Sequence, residues 1–487
     1  MKLNLQKLIS FSFLAFLIMV PFSVKAETSS QKFNIDPIYN SENSQQYQVS
    51  ASLKNSFYRL DFYVEDNFLS SKDWTERNEM NNIFSNLSSE FEAKIYPQLT
   101  NNFGTEKHSK SEGIERIAVL FYPMKEGVRG YIRNIDAYDK TINPMSNQRE
   151  IIYLNSGYID NPLLPEILAH EFTHLIELNQ KEIKNDVPEE TWLSEAIAEY
   201  AVTLLGYNGE NGESYLDKRI KDFLAKPTDP LTEWTGTVYD YGSVSMFIHY
   251  MVEQYGLIVL KSTLVSQKTG IESINEALKE NNYKETFVDI YNNWVVAVYL
   301  NDCSVGSQYC YTGGKLKNVR ILPVNTFMPF FNESSLSMNQ SIRNWSSNWQ
   351  KFVGVNGDFK MEVKSPENCN FKVSYIYKDQ YEKSHVKMVD FKSGETKEIA
   401  ILNVKENISP VVFIFSIEGT ELEKTVSNLF FVYNTTASVT INNSQEPEID
   451  LPFETDKPLS QMNREELLRV LLRIIIILIL QGKITSL

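Results

Sequence analysis

A chain of 487 residues has room for two or three domains, and 42% hydrophobic with 22% charged side chains is a folded protein's composition, which excludes disorder as the whole account. A formal net charge of -15 at pH 7 opposes nucleic acid at long range, so no nucleic-acid partner is expected.

In chain order, Lys2 and Lys7 precede an apolar run from Leu8 to Val20, and Val24-Lys25-Ala26 offers a small residue at a cut. Residues 1–26 therefore read as a secretory signal, since the run is short for a spanning helix of roughly 20 residues. Export is the implied localisation. Losing the signal removes three lysines and no acid, so the charge falls to -18. Residues 27–52 are polar and rich in Ser, Gln and Asn, and are expected to form a mobile lead or propeptide remnant. Order is predicted to begin with a strand over 57–64, where aromatic and β-branched residues partly alternate with polar ones. From Glu76 to Ile95, the apolar residues Met80, Ile83, Phe84, Leu87, Phe91 and Ile95 recur at helical spacing, and Pro97 is expected to stop that helix. Short apolar runs at 117–122 and 151–154 predict two more strands. After a turn, Pro165 opens a helix whose apolar positions run to Asn179. Helices near 191–205, 243–255, 271–279 and 284–300 follow, with Gly206 and Gly256 as stops.

In an exported chain, three cysteines predict one disulfide, Cys303 with Cys310, and a buried thiol at Cys369. Between 320 and 445 the pattern changes to short β-rich runs, which predicts a sandwich-like accessory domain. Residues 446–487 read as a linker and an apolar helix from Arg464 to Gln481, capped by Asn463 and Glu466. With Arg469 and Arg473 inside it, that helix is expected to mediate self-association or surface contact rather than to span a membrane.

The chemistry concentrates in His170-Glu171-Phe172-Thr173-His174, within the helix that Pro165 opens. Four residues advance about 400° on a helix, so both imidazoles share one face and can converge on a single ion. Glu171 stands where its carboxylate reaches a water on that ion and acts as general base. A catalytic zinc takes three protein ligands and a water. Glu195, in Trp192-Leu193-Ser194-Glu195-Ala196-Ile197-Ala198-Glu199-Tyr200, is the candidate third ligand, carried on a second helix that folds back. Glu199, one turn further, is a candidate for orienting a ligand imidazole, with a solvated acid as the alternative. His108, His249 and His385 have no such company and are expected to be core or surface residues.

With these residues the sequence resembles the gluzincins, whose third zinc ligand is a glutamate on a second helix. The pairing of A-H-E-F-T-H-L-I-E-L-N-Q-K with W-L-S-E-A-I-A-E-Y is especially similar to the hyicolysin-like metallopeptidases. The resemblance runs more weakly from Phe57 to Asp302. It implies an α+β zincin domain over 53–302, a small sheet above a mainly α lower half, binding one catalytic zinc ion. It also implies a tyrosine supplied to the oxyanion from Tyr239-Asp240-Tyr241-Gly242 ahead of a helix, with Tyr239 favoured by spacing and Tyr241 the alternative. The expected activity is hydrolysis of protein or peptide substrates, with internal bonds favoured over amino termini by the hyicolysin likeness. The competing expectation is an inactive zincin scaffold serving as an extracellular binding or adhesion protein.

Overall fold

The computed structural model describes residues 30–41, 45–107, 116–207, 214–328, 334–355, 357–379, 381–404, 411–419, 432–442 and 457–480. The expected signal sequence, His108 and most of the expected linker lie outside these residues.

The first strands come from the stretch expected to be mobile. β1 (Ser30–Asn34) and β2 (Gln48–Ser56) pair antiparallel, and β2 pairs antiparallel with β3 (Leu60–Glu65). The reading of 27–52 as a mobile lead is corrected accordingly: Phe33, Ile35, Val49 and Ala51 are buried, while polar neighbours occupy the outer edge of a sheet. An antiparallel edge tolerates such composition because the ladder satisfies its backbone groups. β4 (Ile117–Tyr122), β5 (Gly130–Ile132) and β6 (Ile151–Asn155) complete a six-stranded sheet of order β1-β2-β3-β4-β6-β5. The β3-β4-β6 centre is parallel and β5 lies antiparallel at the far edge.

Period-two alternation feeds two cores from this sheet. Leu60, Phe62, Val119, Phe121, Ile152 and Leu154 pack with the helices, whereas Tyr63, Leu120, Tyr122 and Tyr153 face a smaller cluster on the other side. The helical side is covered by α2 (Trp74–Glu90), which follows the short α1 (Asp66–Ser70). Pro97 does not stop this run. A π-helical turn at Phe91–Ile95 intervenes, with the Tyr96 N–H bonded to the Phe91 carbonyl, and α3 (Tyr96–Phe103) continues with Pro97 in its first turn.

Beneath the sheet lie α4 (Leu164–Glu177), α5 (Thr191–Leu204), α6 (Tyr215–Ala225), α7 (Val238–Tyr255), α8 (Leu257–Val265), α9 (Gly270–Glu280) and α10 (Phe287–Leu300). Gly206 and Gly256 follow α5 and α7 at φ 75° and 81°, a conformation glycine adopts without a Cβ clash. Cys303 and Cys310 form the expected disulfide, and Cys369 is a buried free thiol.

The C-terminal half carries two sheets. One has the order β13-β10-β15-β8 and the other β12-β11-β14-β9-β7. Their strands are β7 (Val324–Phe327), β8 (Ser334–Arg343), β9 (Ser347–Val353), β10 (Gly357–Lys364), β11 (Phe371–Lys378), β12 (Ser384–Phe391), β13 (Thr396–Val404), β14 (Val411–Ile417) and β15 (Val432–Asn442). Phe352, Phe359, Met361, Val373, Phe413 and Phe415 fill the space between the sheets. The other face of the five-stranded sheet is also apolar: Trp349, Ile376, Val412 and Ile414 join the same cluster as Tyr291 and Trp294 of α10. The last described element is α11 (Arg464–Leu480), where the Asn463 N–H donates to Glu466 and Asn463 Oδ1 accepts from the Glu466 N–H, the expected capping box. Among the described residues no helix is long and apolar enough to cross a membrane.

Candidate metal centre

α4 opens with Pro165 and Glu166 in its first turn, both suited to a helix N-terminus, and its apolar positions anchor it in the core. This fixes the rotation of His170, Glu171 and His174. The chain then runs through a π-helical segment (Leu178–Ile183) into a loop and returns as α5, carrying Ser194, Glu195 and Glu199 against α4.

Three ligand atoms converge between the two helices. His170 Nε2 and His174 Nε2 are 3.2 Å apart, and Glu195 Oε2 lies 3.2 Å from the first and 3.7 Å from the second. Ligand atoms about 2.0–2.2 Å from a tetrahedral zinc stand about 3.3–3.6 Å from one another, so the triangle has the required size. Glu195 Oε2 is buried without an aligned hydrogen bond, as expected of an atom aimed at an ion. Two imidazoles and a carboxylate are also a donor set suited to zinc, so His170, His174 and Glu195 could bind a metal ion. Burial by itself would lower His174, but the Glu195 carboxylate overrides it and the imidazole is pushed up to about 9. Burial would raise Glu195, yet the two imidazoles hold its carboxyl well below the usual carboxylate range.

Glu171 is buried beside this group. Burial pushes its carboxyl up and Glu195 adds to this, while His170 and His174 oppose it. Its Oε1 faces β5: a Cβ built on Gly130 would come within 2.9 Å of that oxygen. Only glycine lets the strand run so close to the carboxylate.

A polar side chain stands behind each imidazole, within hydrogen-bond distance only at His174. His174 Nδ1 is 3.2 Å from Ser194 Oγ. His170 Nδ1 is 3.8 Å from Glu199 Oε1. Glu199 is not a solvated acid: it is 2% exposed and gripped by Arg219, whose Nε and Nη2 donate to its two oxygens at 2.9 and 2.7 Å. Arg219 also donates to Tyr215 Oη at 3.0 Å. Nothing in the spacing of the sequence marked Arg219, because it sits on another helix, 20 residues after its partner.

The cleft over these residues has a volume of about 740 Å³, and its lining includes Tyr215, Trp234 and Tyr241 but not Tyr239. Both candidate tyrosines lie in the first turns of α7, and two residues advance about 200° on a helix, so they point apart. Tyr239 turns to Lys226, whose Nζ lies 5.3 Å from its ring centroid. Tyr241 stacks edge-on against Trp234 and under the Arg219 guanidinium, with ring distances of 4.8 and 4.3 Å. The preference for Tyr239 is therefore corrected in favour of Tyr241 as the tyrosine in the cleft. Burial, reinforced by Glu195, raises the Tyr241 phenol and keeps it a donor. His249 is buried, with its ring nitrogens on Thr203 and the Ser245 carbonyl, and His385 pairs with Asp379; both stand apart from the centre.

Comparison with known proteins places this group in context. No protein-family model matches the chain. The neutral metalloprotease ShpI of Staphylococcus hyicus is 25% identical over 176 residues, covering 33% of this chain and 37% of that protein. The chain is thus distantly related to a metalloprotease, and the match spans little more than a third of that relative's length. Among solved structures, the Yersinia pseudotuberculosis-derived mitogen is 9% identical with a TM-score of 0.17, and the Aeromonas hydrophila lysozyme inhibitor PliG is 12% identical with a TM-score of 0.17. Each covers 24% of this chain, and scores of this size establish nothing about it.

Proposed function

We propose that this chain is an exported zinc-dependent endopeptidase. The observation that carries the reading is the convergence of His170, His174 and Glu195 on one point, at 3.2 to 3.7 Å from one another, with the Glu171 carboxylate beside them. Zinc held by these three residues would supply Lewis acidity and a water that ionises near neutral pH.

The protein's own groups do the rest. Glu171, desolvated and raised, accepts the proton of the attacking water and returns it to the leaving amine. Tyr241 donates its phenol O–H to the charge that develops on the scissile carbonyl oxygen. β5 pairs with β6 on one side and is the end strand of its sheet, so its other edge offers backbone groups to an extended peptide directly above Glu171. A strand-like grip of this kind accepts the middle of a chain, which favours cleavage of internal bonds.

Zinc stoichiometry and casein turnover measured on the same preparations test this. Glu195→Ala should lose zinc, because two imidazoles leave the site short of a ligand. Glu171→Gln should keep zinc and lose about 100- to 10,000-fold in turnover. A parent protein with neither zinc nor chelator-sensitive hydrolysis would instead favour the inactive scaffold, and Glu171→Gln turnover within a few-fold of the parent would remove the general-base role.

A further inference from the structure

Four cations line the cleft, and three are neutralised by the protein itself. Lys181 Nζ pairs with Glu189 at 3.0 Å, Lys218 with Asp222 at 3.2 Å and Arg219 with Glu199 at 2.7 Å. Arg129 differs. Its guanidinium carbon lies 4.9 Å from the Tyr215 ring centroid, on a ring that Arg219 also approaches at 4.7 Å, and its Nη1 is sealed from water with no hydrogen-bond partner. Among the described residues no carboxylate closes on it as an ion pair.

The acid whose carboxyl feels Arg129 is Glu166, on the first turn of α4. Burial pushes Glu166 up to about 7, so near neutral pH it offsets the guanidinium only in part. A partly desolvated guanidinium without its anion is costly, and the planar fork of arginine matches the two oxygens of a carboxylate.

The position of Arg129 says where that anion comes from. It directly precedes Gly130, the residue of β5 that borders Glu171, and its carbonyl still accepts the Asn155 N–H at 2.9 Å, continuing the ladder. Its side chain reaches across to Tyr215, whose ring centroid is 6.2 Å from that of His170. Building on the peptidase reading, we propose that Arg129 is a specificity residue that binds a carboxylate of the substrate, making acidic peptides the preferred class. The carboxylate is that of an Asp or Glu side chain near the scissile bond, or the peptide's own C-terminus.

The test uses the full chain and internally quenched peptides in which one Glu is moved along an otherwise neutral sequence. Each is matched by its Gln isostere, and a second arm compares free with amidated C-termini. At one position or at the free terminus, the acidic form should exceed its neutral counterpart by about tenfold in kcat/KM. That ratio should fall to within twofold in Arg129→Gln and survive in part in Arg129→Lys, with zinc content and melting temperature matching the parent. Fluorescence anisotropy of the same labelled peptides on Glu171→Gln, with and without Arg129→Gln, reads the preference without turnover, so failure of the peptidase reading is seen separately. Equal binding of the Glu and Gln peptides, or a preference that persists in Arg129→Gln, overturns the proposal.

Discussion

Replacing Arg219 with Met is the sharpest probe of how the centre is held. Arg219 is 5% exposed and donates to both oxygens of Glu199, so the variant strips these two bonds from a carboxylate that is 2% exposed and lies 3.8 Å from His170 Nδ1. Breaking one side of a buried pair costs about 3–5 kcal/mol, because the surviving charge stays desolvated. Loss of the bond to Tyr215 adds to this. The double variant Glu199→Gln/Arg219→Met removes both charges and should recover all but about 1–2 kcal/mol. Urea unfolding followed by circular dichroism gives the three free energies. Chelator competition gives a second readout: Glu199→Gln should weaken zinc retention about 10- to 100-fold, since it removes the carboxylate charge that stands 3.8 Å behind a ligand imidazole. If Arg219→Met costs less than about 1 kcal/mol, or if the double variant is no more stable than Arg219→Met alone, the pair is not the support described here.

Tyr241→Phe should lower kcat about 100-fold, the order expected for an oxyanion donor, while Tyr239→Phe changes it less than threefold; steady-state kinetics on casein-derived peptides decides. Glu150 is buried, and burial with repulsion from Glu106 pushes its carboxyl up to about 9. The folded state therefore keeps a proton that the unfolded chain releases above pH 4.5, and stability falls as pH rises from 4.5 towards 9. Melts across that range should show Glu150→Gln gaining on the parent, on the order of 2 kcal/mol by pH 7, with no gain at pH 4.5. A chain ending at Asp456 should keep its casein turnover and change its oligomeric or surface-bound state, because Leu468, Leu471 and Leu472 of α11 are 52–56% exposed; loss of catalytic folding on that truncation would place the helix in the core.

Much of the centre was legible because its signals are local. The spacing of His170, Glu171 and His174 within one apolar-periodic helix, and the recurrence of acids along α5, can be read without knowing how the helices meet. Tyr239 against Tyr241 could not be settled this way: the choice depends on where α7 starts and which face it turns to the cleft. Arg219 and Arg129 were invisible for a related reason, since an arginine on another element carries no periodic mark, and only the folded geometry shows which one has a carboxylate. The strands β1 and β2 were missed because polar composition was weighed without the ladder that satisfies an edge strand. Pro97 misled because a π-helical turn just ahead of a proline lets the helical run continue past it.

The continuous apolar seam between α10 and the sandwich bears on how such a protein can be taken apart. Trp349 donates its indole N–H to the Val295 carbonyl at 2.9 Å, and the turn between β8 and β9 holds the approach to α7, with the Leu231 N–H on the Trp345 carbonyl at 2.9 Å. A module that binds surfaces on its own can be shuffled, swapped or deleted with little effect on the enzyme it accompanies. Here that exchange would strip cover from Tyr291 and Trp294 and release the segment carrying Trp234 into water. The two halves should therefore melt as one cooperative unit, and inherited variation in the sandwich should be felt at the cleft.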